Sequence, residues 1–187
     1  VGSDSTLVFD KNDNPRISYY DMSNDALKYA YWTGSDWKIE TVANVGNFEW
    51  YESHSSLALD SNDKSHISFH DRNTEDLKYA YRNGNSWEIE TVDSEGRTGQ
   101  YTSICIDSND KAHISYFDVT NQDLKYAYLV SMSIQNDVSD DNTQDNDNND
   151  MDSSDSENEE NTPGFELVFL LFGICVLVYM KKRKNDF

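Results

Sequence analysis

One phrase recurs three times along the chain, and it constrains the fold more than any local propensity does. It reads Ile17-Ser18-Tyr19-Tyr20-Asp21 followed by Leu27-Lys28-Tyr29-Ala30-Tyr31. It returns as Ile67-Ser68-Phe69-His70-Asp71 with Leu77-Lys78-Tyr79-Ala80-Tyr81, and again as Ile114-Ser115-Tyr116-Phe117-Asp118 with Leu124-Lys125-Tyr126-Ala127-Tyr128. The copies are offset by 50 and 47 residues, a spacing at which self-similarity specifies a solenoid, a propeller or an array.

The second copy is complete. Ser56-Leu57-Ala58-Leu59-Asp60 is a short apolar run that ends in the turn cluster Ser61-Asn62-Asp63-Lys64. Ser65 to Asp71 and Asp76 to Arg82 alternate with period two, Asn83-Gly84-Asn85 supplies a tight hairpin, and Ser86 to Val92 closes the unit. No stretch has the 3.6-residue period of a helix, so the unit is four antiparallel strands, matching a β-propeller blade. The expected fold is therefore all-β: a partial β-propeller of about two and a half blades, with repeats at 1–49, 50–99 and 100–129, the last lacking its Trp-x-Ile-Glu-Thr-Val strand. Propellers close with about four to eight blades. Either blades precede Val1, or copies associate, or the array is open. The chain begins mid-phrase at Val1-Gly2-Ser3-Asp4, and a truncated N-terminus is the reading adopted.

The wording of residues 1–129 resembles a propeller-like family of archaeal and bacterial surface proteins whose units read roughly SLALDSNGxPHISYYD…LKYAYWxGxxWxIETVD. Asn62-Asp63 and Asn109-Asp110 stand where that family has Asn-Gly, which implies a less tight turn here.

Net charge is −20, from 35 acidic and 15 basic residues. An acidic surface argues against nucleic acid as a partner, which needs clustered cations. Cys105 lies in a strand and Cys175 in an apolar run, so no disulfide staple is expected. No P-loop, G-x-S-x-G or G-x-G-x-x-G is present. Asp10-Lys11-Asn12-Asp13-Asn14 touches the calcium-loop pattern, but its equivalents carry Lys at the third ligand position, and hydrogen-bonded turns are the expected reading. His66 and His70 share a strand face without an evident third ligand. No metal site, cofactor or catalytic residue is expected.

The candidate binding residues lie where the long inter-repeat loops meet the turns after each second strand. One rim would gather Asp21, Asp71 and Asp118, with Tyr20 and His70, beside Trp50, Tyr51 and His54 of the enlarged first loop. Aromatics beside carboxylates suit a glycan or a protein surface; the competing reading is that the aspartates hold turns and the aromatics seal blade junctions.

Residues 130–162 form an acidic stalk that cannot bury enough apolar surface to order itself, and it is expected to be disordered. Pro163-Gly164-Phe165 follow, then a 14-residue apolar run from Leu167 to Met180, then Lys181, Lys182, Arg183 and Lys184. The run is short of the roughly 20 residues of a transmembrane helix, and Phe165 and snorkelling lysines would extend its reach. A transmembrane helix is expected, with the repeats outside and the basic tail cytoplasmic. Within 163–187 the order of motif, apolar run and basic end resembles the archaeal PGF-CTERM sorting signal. The resemblance implies an archaeosortase-type processing enzyme and lipid attachment as partners. The function expected from the whole is a cell-surface anchored repeat protein, non-catalytic, serving ligand binding, adhesion or the envelope. The alternative is a fragment of an extracellular hydrolase or lyase with its active site on missing blades.

Overall fold

A computed structural model describes residues 2–46 and 54–130, together with the backbone of 167–171 and 174–179. The first repeat folds as β1 (Gly2–Phe9), β2 (Pro15–Asp21), β3 (Ala26–Trp32) and β4 (Trp37–Asn44). The second gives β5 (Ser55–Leu59), β6 (Ser65–Asp71), β7 (Asp76–Asn83) and β8 (Ser86–Asp93). The third gives β9 (Gln100–Ile106), β10 (Ala112–Asp118) and β11 (Asp123–Val130), and two further strands follow, β12 (Leu167–Leu171) and β13 (Ile174–Tyr179). Each repeat is one antiparallel sheet in sequence order, and the three sheets are separate.

The recurring phrase sets the register. Arg16 pairs Tyr31, His66 pairs Tyr81 and His113 pairs Tyr128, so the same cross-strand positions meet in every sheet. The β1–β2, β5–β6 and β9–β10 turns each hold an aspartate in the left-handed region: Asp13, Asp63 and Asp110, with φ of 59°, 60° and 59°. The turn is thus no looser than an Asn-Gly turn; aspartate adopts the conformation that glycine would.

The first strands of the sheets pack on one another in order, β1 against β5 and β5 against β9. Two apolar clusters fill the gaps. The first joins Tyr20, Leu27, Tyr29 and Val42 to Leu57, Ile67, Phe69 and Ala80; the second joins Leu77, Tyr79 and Val92 to Ile104, Ile114, Tyr116 and Ala127. Every residue of β6 is buried, because the middle sheet is covered on both faces. In β2 the buried residues are Ser18 and Tyr20, whereas in β10 they are Ala112, Ile114, Tyr116 and Asp118. Those two sets lie on opposite strand faces, since one end sheet turns its buried face forward and the other backward.

The third sheet departs from expectation. β13 pairs with β11 from Tyr126↔Tyr179 to Val130↔Cys175, taking the position of the missing fourth strand, and β12 adds a fifth. The run expected to form a transmembrane helix is therefore a β-hairpin here, and among the described residues no helix is long and apolar enough to cross a membrane. The physical reason is the edge that the third repeat leaves open: β11 would otherwise present a row of unpaired N–H and C=O groups. The stalk beyond Val130, the Pro163-Gly164-Phe165 motif and the basic tail from Lys181 lie outside the described residues.

Candidate functional site

The end of the sheets that carries the β2–β3 and inter-repeat connections gathers most of the rim residues read from the sequence, but as structural groups. Asp21 accepts from the Ser23 N–H at 3.1 Å and from the Asn24 amide at 2.6 Å. Asp71 accepts from the Asn73 N–H at 3.0 Å, and Asp118 from the N–H and side-chain amide of Asn121 at 3.0 and 2.9 Å. All three hold turns. Tyr20 is fully buried between the first and second sheets, and its hydroxyl donates to the carbonyls of His54 and His70 at 3.1 and 3.0 Å. His70 is fully buried as well, with Nε2 3.5 Å from Glu75. Burial pushes the Tyr20 phenol up, as expected for a hydroxyl used only as a neutral donor.

His54 stays near the surface, its ring 4.2 Å from that of Tyr101. Tyr101 is 64% exposed and holds φ of 51°, a strained backbone for a bulky residue. It occupies the repeat position of His54, so comparison of the copies could have found it. Trp50 and Tyr51 lie outside the described residues.

Between the second and third sheets the same end holds a buried charge cluster that the sequence reading missed. Lys125 Nζ lies 2.8 Å from Asp118 and 3.0 Å from Asp93, and the Tyr116 hydroxyl donates to Asp93 at 2.8 Å. Burial alone would raise the Asp118 carboxyl, but the Lys125 ammonium and the Asn121 donors outweigh it and hold the group below its ordinary range. Burial likewise opposes the Lys125 charge, and the two carboxylates overcome that and raise its pKa. The signal was one substitution: Asp93 stands where the first repeat has Ala43.

The opposite end carries a repeated polar arrangement. The turn aspartates Asp10, Asp60 and Asp107 each accept two backbone N–H groups through Oδ1 at 2.8–2.9 Å, from Asn12 and Asn14, Asn62 and Lys64, and Asn109 and Lys111. Their other oxygens face Arg16 at 3.0 Å, His66 at 3.5 Å and His113 at 3.3 Å. Those groups in turn meet the hydroxyls of Tyr29 at 2.9 Å, Tyr79 at 2.5 Å and Tyr126 at 2.5 Å. The carboxyl of Asp10 sits at about 2: burial raises it, but the Asn14 and Asn12 N–H groups and Arg16 prevail. Asp107 also sits at about 2, lowered first by the Lys111 N–H. Burial lowers His66, and Asp60 only partly offsets it. These loops use their carboxylates as turn acceptors. Among the described residues no group of three or more His, Cys, Asp or Glu side chains is placed to hold a metal ion.

At this end a cavity of about 300 Å³ opens between the second and third sheets. Asp60, Lys64, His66, Tyr79 and Tyr81 line it from one side, and Asp110, Lys111 and Leu129 from the other. The first junction shows why it is open. There Arg82 reaches back over the Tyr31 ring, 4.8 Å from its centre, and bonds Glu40 at 2.6 Å, while Trp87 Nε1 bonds the same carboxylate at 3.1 Å. At the second junction the Arg82 position is Leu129, and the third repeat contributes no Trp87 equivalent among the described residues. Tyr81 is instead covered by Lys64, 4.5 Å from its ring centre. The mismatch of Trp32, Arg82 and Leu129 at one repeat position was the available signal.

No family model matches the chain. No curated protein matches it. Among solved structures, a fucose lectin from Kordia zhangzhouensis in complex with methyl-fucoside is similar with a TM-score of 0.46 at 16% identity, over 66% of this chain and 90% of that one. A likeness of that size carries no argument about fold or ligand.

Proposed function

We propose that this chain is a non-catalytic, cell-surface scaffold of propeller-type repeats that binds a neutral saccharide in the cavity between its second and third sheets. The cavity's lining carries the proposal. Its volume of about 300 Å³ lies at the small end of ligand sites. Lys64 and Lys111 are balanced by Asp60 and Asp110, so the lining favours neither an anion nor a cation. Paired acceptors and donors suit vicinal hydroxyls, which both give and take hydrogen bonds. The Tyr79 and Tyr81 rings also line the cavity, with Lys64 lying over the Tyr81 ring. Calorimetric titration with a panel of neutral mono- and disaccharides tests this. Leu129→Arg should fill the cavity as Arg82 fills the first junction and weaken saccharide binding at least tenfold, with retention of the fold checked by circular dichroism. Equal binding by wild type and Leu129→Arg, or no binding across the panel, would overturn it.

The same proposal keeps the repeats outside the cell, tethered through the apolar run and the basic cluster Lys181 to Lys184 after processing at Pro163-Gly164-Phe165. Its support is the order of these three segments in the sequence. The tether and the β12–β13 hairpin use the same residues and exclude one another. Mass spectrometry of the C-terminus of material from the native host decides between them: loss of the tail from Lys181 is expected, and an intact tail in a protein absent from the membrane fraction would end the tether reading.

A further inference from the structure

We infer that the two outer faces of this three-sheet stack bind each other between copies, so that two chains close head to tail into one ring of six sheets. The inference comes from residues that are buried where a repeat has a neighbour and exposed where it has none. Leu7 is 54% exposed, while its repeat equivalents Leu57 and Ile104 are 3% and 7% exposed. Phe9 and Trp37 are exposed on the same face, whereas their second-repeat or third-repeat counterparts Trp87 and Ile106 pack against the two core clusters. On the far side of the third sheet, Leu124 is 77% exposed, and its equivalents Leu27 and Leu77 are both at 0%. Tyr126 is exposed there too, where Tyr29 and Tyr79 are buried. Apolar groups gathered on one face in this way mark an interface rather than ordinary surface.

The polar contacts repeat in the same sense. At the first junction Ser18 meets Ser55, Oγ to Oγ, at 3.2 Å; at the second, Thr102 donates to Ser68 at 2.8 Å. The next pair in that series is Ser115 on the outer face of the third sheet and Ser5 on that of the first. The turns form a second series. The Lys11 N–H donates to Asp63 at 3.2 Å and the Ser61 N–H to Asp110 at 2.7 Å, which leaves the Ser108 N–H of one copy to meet Asp13 of the other. The first sheet therefore presents one half of the junction and the third sheet the other. An interface of unlike halves forms a ring when its rotation closes and a filament when it does not. The described residues of each copy hold three sheets, and two copies bring together six, within the four to eight that close a propeller.

The test mixes two full-length single variants, Ser5→Cys and Ser115→Cys, each in a Cys105→Ser, Cys175→Ser background. Mild oxidation should give a mixed disulfide between the two variants and little within either alone, with a dimer mass by light scattering. Leu7→Asp and Leu124→Asp should each return the protein to monomer mass while leaving its circular dichroism unchanged, since both side chains are already exposed within one copy. A monomer at all concentrations with no mixed disulfide would overturn the inference and assign these faces to other repeat units. An open polymer would overturn the closed ring.

Discussion

The two junctions between sheets are built from nearly the same words and held by different chemistry. At the first, Tyr20 ties both neighbouring backbones through one hydroxyl, Tyr29 bonds Ser65 at 2.7 Å, and Arg82, Glu40 and Trp87 close the opposite end. The second has His70 in the place of Tyr20, seals one end with Lys125 between Asp93 and Asp118, and leaves the other end hollow. A repeat therefore specifies the sheet and its register, while a handful of substituted positions specify what each junction does. The hollow at the second junction follows from Leu129 replacing an arginine, and the buried charges follow from Asp93 replacing an alanine.

The largest expected effect breaks the charged junction. Lys125→Met leaves Asp93 and Asp118 buried without a counter-charge and should lower unfolding free energy by about 3–5 kcal/mol, read from urea denaturation. A loss below about 1 kcal/mol, the range of an exposed pair, would show that the cluster is solvated in solution. Tyr20→Phe probes the other junction: the one phenol proton shared by the His54 and His70 carbonyls is lost, and about 1–2 kcal/mol should go. Since Phe117 already occupies the equivalent place in the third repeat, Phe117→Tyr should change stability little.

Next in size is a pH effect confined to one junction. Burial lowers the pKa of His66 beneath its ordinary 6.5, so below that value the unfolded chain binds more protons than the folded one. The stability this group contributes is present above pH 6.5 and is lost as pH falls through it toward the depressed folded value. The equivalent residue at the first junction is Arg16, which does not titrate there. His66→Gln should reduce the slope of the urea midpoint between pH 7.5 and 5.5; an unchanged slope would assign it elsewhere. The carboxyls of Asp10 and Asp107, held at about 2 against an ordinary 3.8, add a separate loss as pH falls below 3.8 toward 2. The smallest effect concerns the turns: Asp13→Gly relieves the left-handed φ of an exposed aspartate at some cost in unfolded-state entropy, for a net gain of about 0.5 kcal/mol by thermal melting.

The four-strand unit was legible because period-two alternation, turn clusters and a fixed repeat length all agree from Leu7 to Tyr128. The turn role of Asp21, Asp71 and Asp118 was legible as one of two readings, since an aspartate just before a turn accepts local N–H groups wherever its fold places it. The fate of Tyr20 and His70 was not, because alternation tells which residues share a face and not which face has a neighbour. The strand pairing of the apolar run from Leu167 was not legible for a related reason. Hydrophobicity gives its need for cover, and an open strand edge far back in the chain supplied a partner that no local pattern reveals.

By itself, then, the sequence determined the repeat, its strands, their register and the chemistry of its turns, because those depend on groups a few residues apart. Only the tertiary structure decided which faces are buried, where a lysine finds two carboxylates and where a cavity stays open. Those outcomes depend on groups from different repeats, roughly fifty residues apart in the chain, that meet only when the sheets stack.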